Sequence, residues 1–552
     1  MMTLFQLQNP LTMPHNTSRL IQLLILTLLI NLPYSSHAQT AKRFEAHMDF
    51  LASDLLQGRD TGSVGHEIAS QYIATEFAKM GILPAGDDGG YMQRIDFKSA
   101  VLDLDSPKMS LRHGKDELEL EFLEEFAVSA DVNRLQSMVS GELVFVGFGI
   151  DAPFLNYNDF TGVDVKGKIA VVLRGKPNHF PSEEGSHYAR TSTESMIDRG
   201  AIGVIAISTP TIEKIWAFSR AKEYIDKPRI KWVNKGGAVH KGNPEIQASA
   251  SLSIDAGKKL FALAGLDLEK VFAQIEAGEK PQAQVMNVSA DISYASTHDV
   301  TDSPNVVGIL EGSDEVLKHE YVLLSAHTDH IGVSSHIDIG DKINNGAMDN
   351  AAGVSTLLEM AHQITQSGKR PKRSILLTMV TAEEKGLLGS DYFANNPTVP
   401  LESIVANVNL DMPVLTNAFD QLIGFGSEHS SMGTVIEQAT IKNGMRLIPD
   451  PMPEQSIFVR SDQYSFVKKG IPAVYLVPAD QADMKFDDHE ISSAEFLVEH
   501  YHKPSDQLDL PINYDVAAKF VAINAAIATE IANAEARPQW NKDSFFATID
   551  EQ

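Results

Sequence analysis

His327, Asp329, Asp349, Glu383, Glu384 and Asp411 are the residues whose types and spacing could do chemistry. His327 and Asp329 close an apolar run of strand type, Tyr321 to Ala326. About twenty residues later, Asp349 and Asn350 open an Ala/Leu-rich helical pattern, AAGVSTLLEMA. Glu383 and Glu384 follow a second strand pattern, RSILLTMVT, and Asp411 follows a third, SIVANVNL. Each signal alone is weak, because an acidic pair often sits at a helix start and a lone Asp often caps a turn. Together they mean more: carboxylates and a histidine along one rim would repel one another without a cation. Such hard oxygen and imidazole donors suit zinc, cobalt or manganese. The chain has no cysteine, which excludes thiolate ligands, disulfides and a cysteine nucleophile.

The elements that must position these residues are strands alternating with helices, which implies an α/β fold with a largely parallel sheet. Open sheets of this kind bind ligands outside the carboxyl ends of their strands. A further strand, IPAVYLV, precedes the stretch VEHYHKPSDQLD and a last helix from about Val516 to Ala534. This metal-bearing part spans 285–540. An earlier part, 41–137, reads as a helix, a Gly-rich turn (QGRDTGSVG) and a second helix with apolar residues at helical spacing. In that turn Arg59 and Asp60 read as a structural salt bridge. Between the two parts, 138–284 is a β-rich block without His and acids at ligand spacing, read as an accessory domain.

With 552 residues and 43% hydrophobic content the chain can fill a large core. Its formal net charge of −27 argues against nucleic acid or an anionic membrane as partner. The amino terminus reads as an export signal over 1–38. Arg19 precedes an apolar run, Leu20 to Leu32, and Ser36-His37-Ala38 forms a small-x-small cleavage site. The run is shorter than the roughly 20 residues of a spanning helix. The expected mature protein is exported, periplasmic or secreted, without a membrane span.

The order His-x-Asp, Asp-Asn at a helix start, Glu-Glu, Asn-Leu-Asp and a late Tyr-His resembles the co-catalytic di-zinc exopeptidases, among them bacterial leucyl aminopeptidases and glutamate carboxypeptidase. The resemblance runs from about Ala41 to the last helix. It implies a zinc exopeptidase fold, a mostly parallel mixed sheet flanked by helices, with a protease-associated domain inserted at 138–284. It also implies two Zn²⁺ ions, His327 and Asp411 on one, Glu384 and His502 on the other, and Asp349 bridging both. Glu383 would be the general base, and Asp329 would accept the other ring N–H of His327. Asp506 would act similarly near His502, and Tyr501 would hydrogen-bond the tetrahedral intermediate. His502 is preferred to His489 and His500 because it sits in the pattern Tyr501-His502-x-Pro504-x-Asp506. His330 and His336 read as loop residues. Gln463 stands where relatives often carry His.

The function implied is an aminopeptidase acting on peptides with a free N-terminus, through a metal-bridging hydroxide and Glu383. Two Zn²⁺ would balance Asp349, Glu384, Asp411 and that hydroxide, because zinc lowers the pKa of bound water to about 7. The rivals on this fold are a carboxypeptidase, a one-zinc glutaminyl cyclase and an inactive receptor-like binding protein. Retention of both His327 and Asp411 favours two metals, and the full ligand set argues against an inactive chain. The inserted domain is expected to guard the entrance, contact protein partners or act as a spacer.

Overall fold

The computed structural model describes residues 37–335, 337, 339–479 and 491–551. The expected export signal lies almost wholly outside them, as do His336 and His489. Among the described residues no helix is long and apolar enough to cross a membrane.

Strands Tyr321–His327, Ser374–Val380 and Ile404–Asn409 are almost entirely buried. Strands covered on both faces lose the apolar/polar alternation and become continuous apolar runs. Tyr321–His327 lies at the centre, parallel to Ser374–Val380 on one side and to Ile404–Asn409 on the other. Beyond Ile404–Asn409 comes Ala473–Pro478, again parallel, followed by antiparallel Gln421–Phe425. Beyond Ser374–Val380, the carboxyl half of the 27-residue strand Gln284–Leu310 runs antiparallel and pairs with Met92–Leu102. The result is a mixed sheet whose four central strands are parallel. Three adjacent strands therefore deliver His327, Glu383 and Asp411 to one rim.

Helices cover both faces. A helix over 37–51, Val64–Met80, Ala352–Gln366 and Tyr514–Asn533 bury one face through Phe44, Phe77, Leu357, Phe520 and Ile527. Val64–Met80 begins at Ser63, whose side chain accepts the His66 amide, and ends at Gly81 in the left-handed region. These are the expected start and stop signals. Truncating fully buried Phe77 to Ala would cost about 3–5 kcal/mol, from lost burial and a residual cavity. Phe393 and Phe466 pack the opposite face.

The amino half of Gln284–Leu310 belongs to a second sheet, paired with Lys108–His113 and Gln136–Phe145. That sheet continues through the parallel strands Ile169–Leu173, Gly203–Ile207 and Ala248–Leu252. Its apolar cluster includes Phe145 and Phe261, and extends to Phe425, Phe458 and Phe546 beside the first sheet. One strand of the middle block, Arg229–Trp232, pairs with Met92–Leu102 at the edge of the first sheet. The two sheets thus share one strand, Gln284–Leu310, and a core.

Candidate metal centre

Five side chains from separate elements meet at the carboxyl ends of the central strands. His327 Nε2 is 2.9 Å from Asp411 Oδ1 and 3.2 Å from Asp349 Oδ1. His502 Nε2 is 3.0 Å from Glu384 Oε2 and 3.3 Å from Asp349 Oδ2. The two oxygens of Asp349 therefore face different histidines. His327 and Asp329 are buried, and Asp349 and Asp411 nearly so. His500 is elsewhere, with Nδ1 3.0 Å from Ser505 Oγ and its ring stacked on Phe496.

The supports differ in part from expectation. Asp329 is buried beside His327, but its main-chain carbonyl stands 3.0 Å from His327 Nδ1 while its carboxylate oxygen is 3.9 Å away. The carboxylate instead accepts the amides of Glu383 and Glu384, at 3.1 and 3.3 Å. The turn after the strand brings the carbonyl under the ring and aims the side chain at the neighbouring strand end. Asp506 likewise accepts the Met348 and Asp349 amides, at 2.9 and 3.1 Å, and so fixes the backbone of Asp349. Asn350 ties the same loop to the strand of Asp411, donating to Leu410 O and accepting from Gly353 and Met412. Gly353 is required there, because an added Cβ would lie 2.0 Å from Asn350 Oδ1 and 2.6 Å from Leu410 O. Ala382, Met412 and His502 all have positive φ, a conformation that costs non-glycine residues on the order of 1–3 kcal/mol. His502 is a ligand candidate, Met412 adjoins Asp411, and Ala382 precedes Glu383.

Four further residues went unrecognised in the sequence. His330, read as a loop residue, is fully buried with Nδ1 2.8 Å from Glu384 Oε1. With Asp349 and Glu384 it forms a second grouping of metal-ligating type, beside that of His327, Asp349 and Asp411. Arg59 makes no turn salt bridge with Asp60, which pairs with Lys385 at 2.8 Å. It is buried and donates to the carbonyls of Leu51, Thr328, Asn345 and Gly346, clamping the loops that carry His327 and Asp349. Ser461 donates to Asp411 Oδ2 at 2.6 Å. Asp462 is fully buried with neither carboxylate oxygen hydrogen-bonded. No periodic pattern marks these contacts, since each joins elements far apart in the chain. Gln463 is structural, bridging Asn409 Nδ2 and Phe458 O.

Residues 305–528 match the model of peptidase family M28. Over that region the chain is similar to family M28. A probable glutamate carboxypeptidase of Zea mays is 25% identical over 297 residues, 50% of this chain and 37% of that one. A probable leucine aminopeptidase 2 of Aspergillus oryzae is 27% identical over 242 residues, 43% of this chain and 42% of that one. The chain thus spans less than half the length of these curated relatives. The fold is that of an aminopeptidase from Aneurinibacillus sp. strain AM-1, with TM-score 0.50 and 18% identity over 91% of this chain and 94% of that one.

The rim carries an excess of carboxylate. Burial disfavours the His327 imidazolium, yet Asp411 and Asp349 raise its pKa well above the ordinary value. Burial opposes the His502 charge too, and Glu384 and Asp349 still push it up to about 10. The carboxylates demand positive charge and take it from protonated imidazoles. Nε2 of both His330 and His502 is buried without an aligned hydrogen bond, that of His502 although Glu384 and Asp349 oxygens lie 3.0 and 3.3 Å away. Imidazole and carboxylate donors with orphaned ring nitrogens fit divalent cations of the zinc type. Burial also raises Glu383, and neighbouring Asp411 and Glu384 push it the same way.

Proposed function

We propose that this chain is an exported zinc-dependent aminopeptidase, removing N-terminal residues from peptides. The observation that carries the reading is Asp349, whose Oδ1 faces His327 and whose Oδ2 faces His502. A carboxylate so placed suits a bridge between two cations. His327 and Asp411 would hold one Zn²⁺, and Glu384 and His502 the other. Such a pair supplies Lewis-acid polarisation of the scissile carbonyl and water acidified to near neutral pH.

The remaining work belongs to the chain's own groups. Glu383, which binds a proton readily in this buried, acid-rich setting, takes the proton of the attacking water and delivers it to the leaving amine. Tyr501, stacked on His502 with ring centroids 3.8 Å apart, presents its hydroxyl to the developing oxyanion. Asp329 holds the Glu383–Glu384 backbone and Asp506 that of Asp349, so base and ligands keep register. Carboxylates at the rim favour a substrate bearing a free α-ammonium. The block 138–284 is assigned as the inserted protease-associated domain, and residues 1–38 as the export signal.

The test is a panel of aminoacyl-nitroanilides and carboxy-blocked peptides, with and without chelator. Release of N-terminal residues, abolished by chelation and restored by zinc, is expected. Release of carboxy-terminal residues from amino-blocked peptides would mark a carboxypeptidase instead. No metal-dependent release from either end would remove the peptidase reading.

A further inference from the structure

A cavity of about 490 Å³ lies between the second sheet and the excursion that carries Trp216, Tyr224 and Arg229. Five cationic residues line it, Arg174, Lys227, Arg229, Lys231 and Lys241, against one acid, Asp131. That acid is occupied, accepting the Ser137 hydroxyl at 2.8 Å and the Asn133 amide at 2.7 Å and facing Arg134 at 3.4 Å. Of the other nearby carboxylates, Asp391 is engaged by Trp232 Nε1, His240 and Lys468 at 3.0–3.2 Å, while Glu213 bears on Arg174 and Asp60 and Asp226 bear on Lys227. None of the five cations forms an ion pair among the described residues. Strand Arg229–Trp232 explains part of the concentration: alternation buries Ile230 and Trp232 and directs Arg229 and Lys231 to the cavity side.

Cations gathered without a paired carboxylate are unfavourable unless a ligand supplies the counter-charge. Lys231 shows the cost: burial lowers its pKa, and Arg229 and Lys241 lower it further against the opposing pull of Asp391. On a chain of net charge −27, such a grouping is a local reversal of sign. The cavity also adjoins the metal centre. Lys227 Nζ is 3.4 Å from the carbonyl of Ile331, the residue after His330. Glu384 is near enough to bear on both Lys227 and Tyr224.

We infer that this cavity binds carboxylates, and that those it receives belong to the peptide being cut, on the leaving side of the scissile bond. The inference rests on the peptidase reading and deepens it: the preferred substrates are short peptides with acidic residues after the first. A volume of this size accommodates a few residues. Arg174 and Lys231 would hold the acidic side chains or the terminal carboxylate.

The test uses the full chain and two readouts. Calorimetric titration with Glu-Glu-Glu needs no turnover, so it stands even if the peptidase reading fails. Binding at least tenfold tighter than for Gln-Gln-Gln-amide, weakening with salt, is expected. The Arg174→Ala/Lys231→Ala variant should lose at least tenfold in that affinity, whereas Lys231→Arg should retain it, which separates charge from folding. In turnover, the double variant should lose at least tenfold in kcat/KM on Leu-Glu-Glu-Glu, mainly through KM, with leucyl-nitroanilide unchanged. Equal binding of the acidic and amide peptides, or an unaffected double variant, would overturn the inference. So would citrate binding as tightly as Glu-Glu-Glu without slowing cleavage of Leu-Glu-Glu-Glu, since the cavity would then serve a free anion.

Discussion

The centre divides its carboxylates between two tasks. Asp349, Glu384 and Asp411 aim oxygens at imidazoles, whereas Asp329 and Asp506 spend theirs on backbone amides. Glu383 takes neither part, which leaves it for proton transfer. Glu383→Gln should therefore retain the bound metal and lose about 10²–10⁴ in kcat, measured by steady-state kinetics beside metal analysis. Unchanged turnover would refute the base assignment. Arg59 has a different burden, a buried cation that satisfies carbonyls from three segments. Arg59→Met should destabilise the fold by about 3–5 kcal/mol in urea unfolding and weaken metal retention; a loss under about 1 kcal/mol would show that the clamp is dispensable. His327, Asp349 and Asp411 were legible because each ends or begins a recognisable element. Arg59 and His330 were not, because their partners lie 269 and 54 positions away with no shared period. Nor could sequence tell that Asp329 turns its carboxylate to the next strand.

Among the elements, the parallel strands could be read from their unbroken apolar runs, and with them the rim on which the site is built. Strand Arg229–Trp232 was harder. It lies in a block of local β pattern, and its pairing with Met92–Leu102 depends on a distant partner. The same holds for helix Ser182–Arg190, which docks on Gln463–Val467 through His187 Nδ1, 2.7 Å from the Tyr464 hydroxyl. Burial lowers the pKa of His187 to about 4 from an ordinary 6.5, and Lys468 adds to the effect. The unfolded chain thus takes up this proton before the folded one does. The linked stability is complete above pH 6.5 and is lost as pH falls toward 4, on the order of 3 kcal/mol in all. Thermal melts should fall across that window, and His187→Gln should flatten the fall. Parallel curves for both proteins would place the acid sensitivity elsewhere.

At the scale of the whole molecule, two sheets share the strand Gln284–Leu310 and an apolar core, so the centre and the cationic cavity are built into one connected framework. The acid-rich rim loses its counter-charge when stripped of metal. Chelation should lower the melting temperature and zinc should restore it, because a ligand that binds only the folded state stabilises that state. An insensitive melt would mean that the carboxylates do not need a cation. The most direct measurement is anomalous X-ray scattering at the zinc edge from crystals grown with zinc. Two peaks are predicted, one between His327 and Asp411, the other between Glu384 and His502, with Asp349 between them. A single peak, or density only at the separate cluster of Glu183, Glu428 and His429, would contradict the two-metal account.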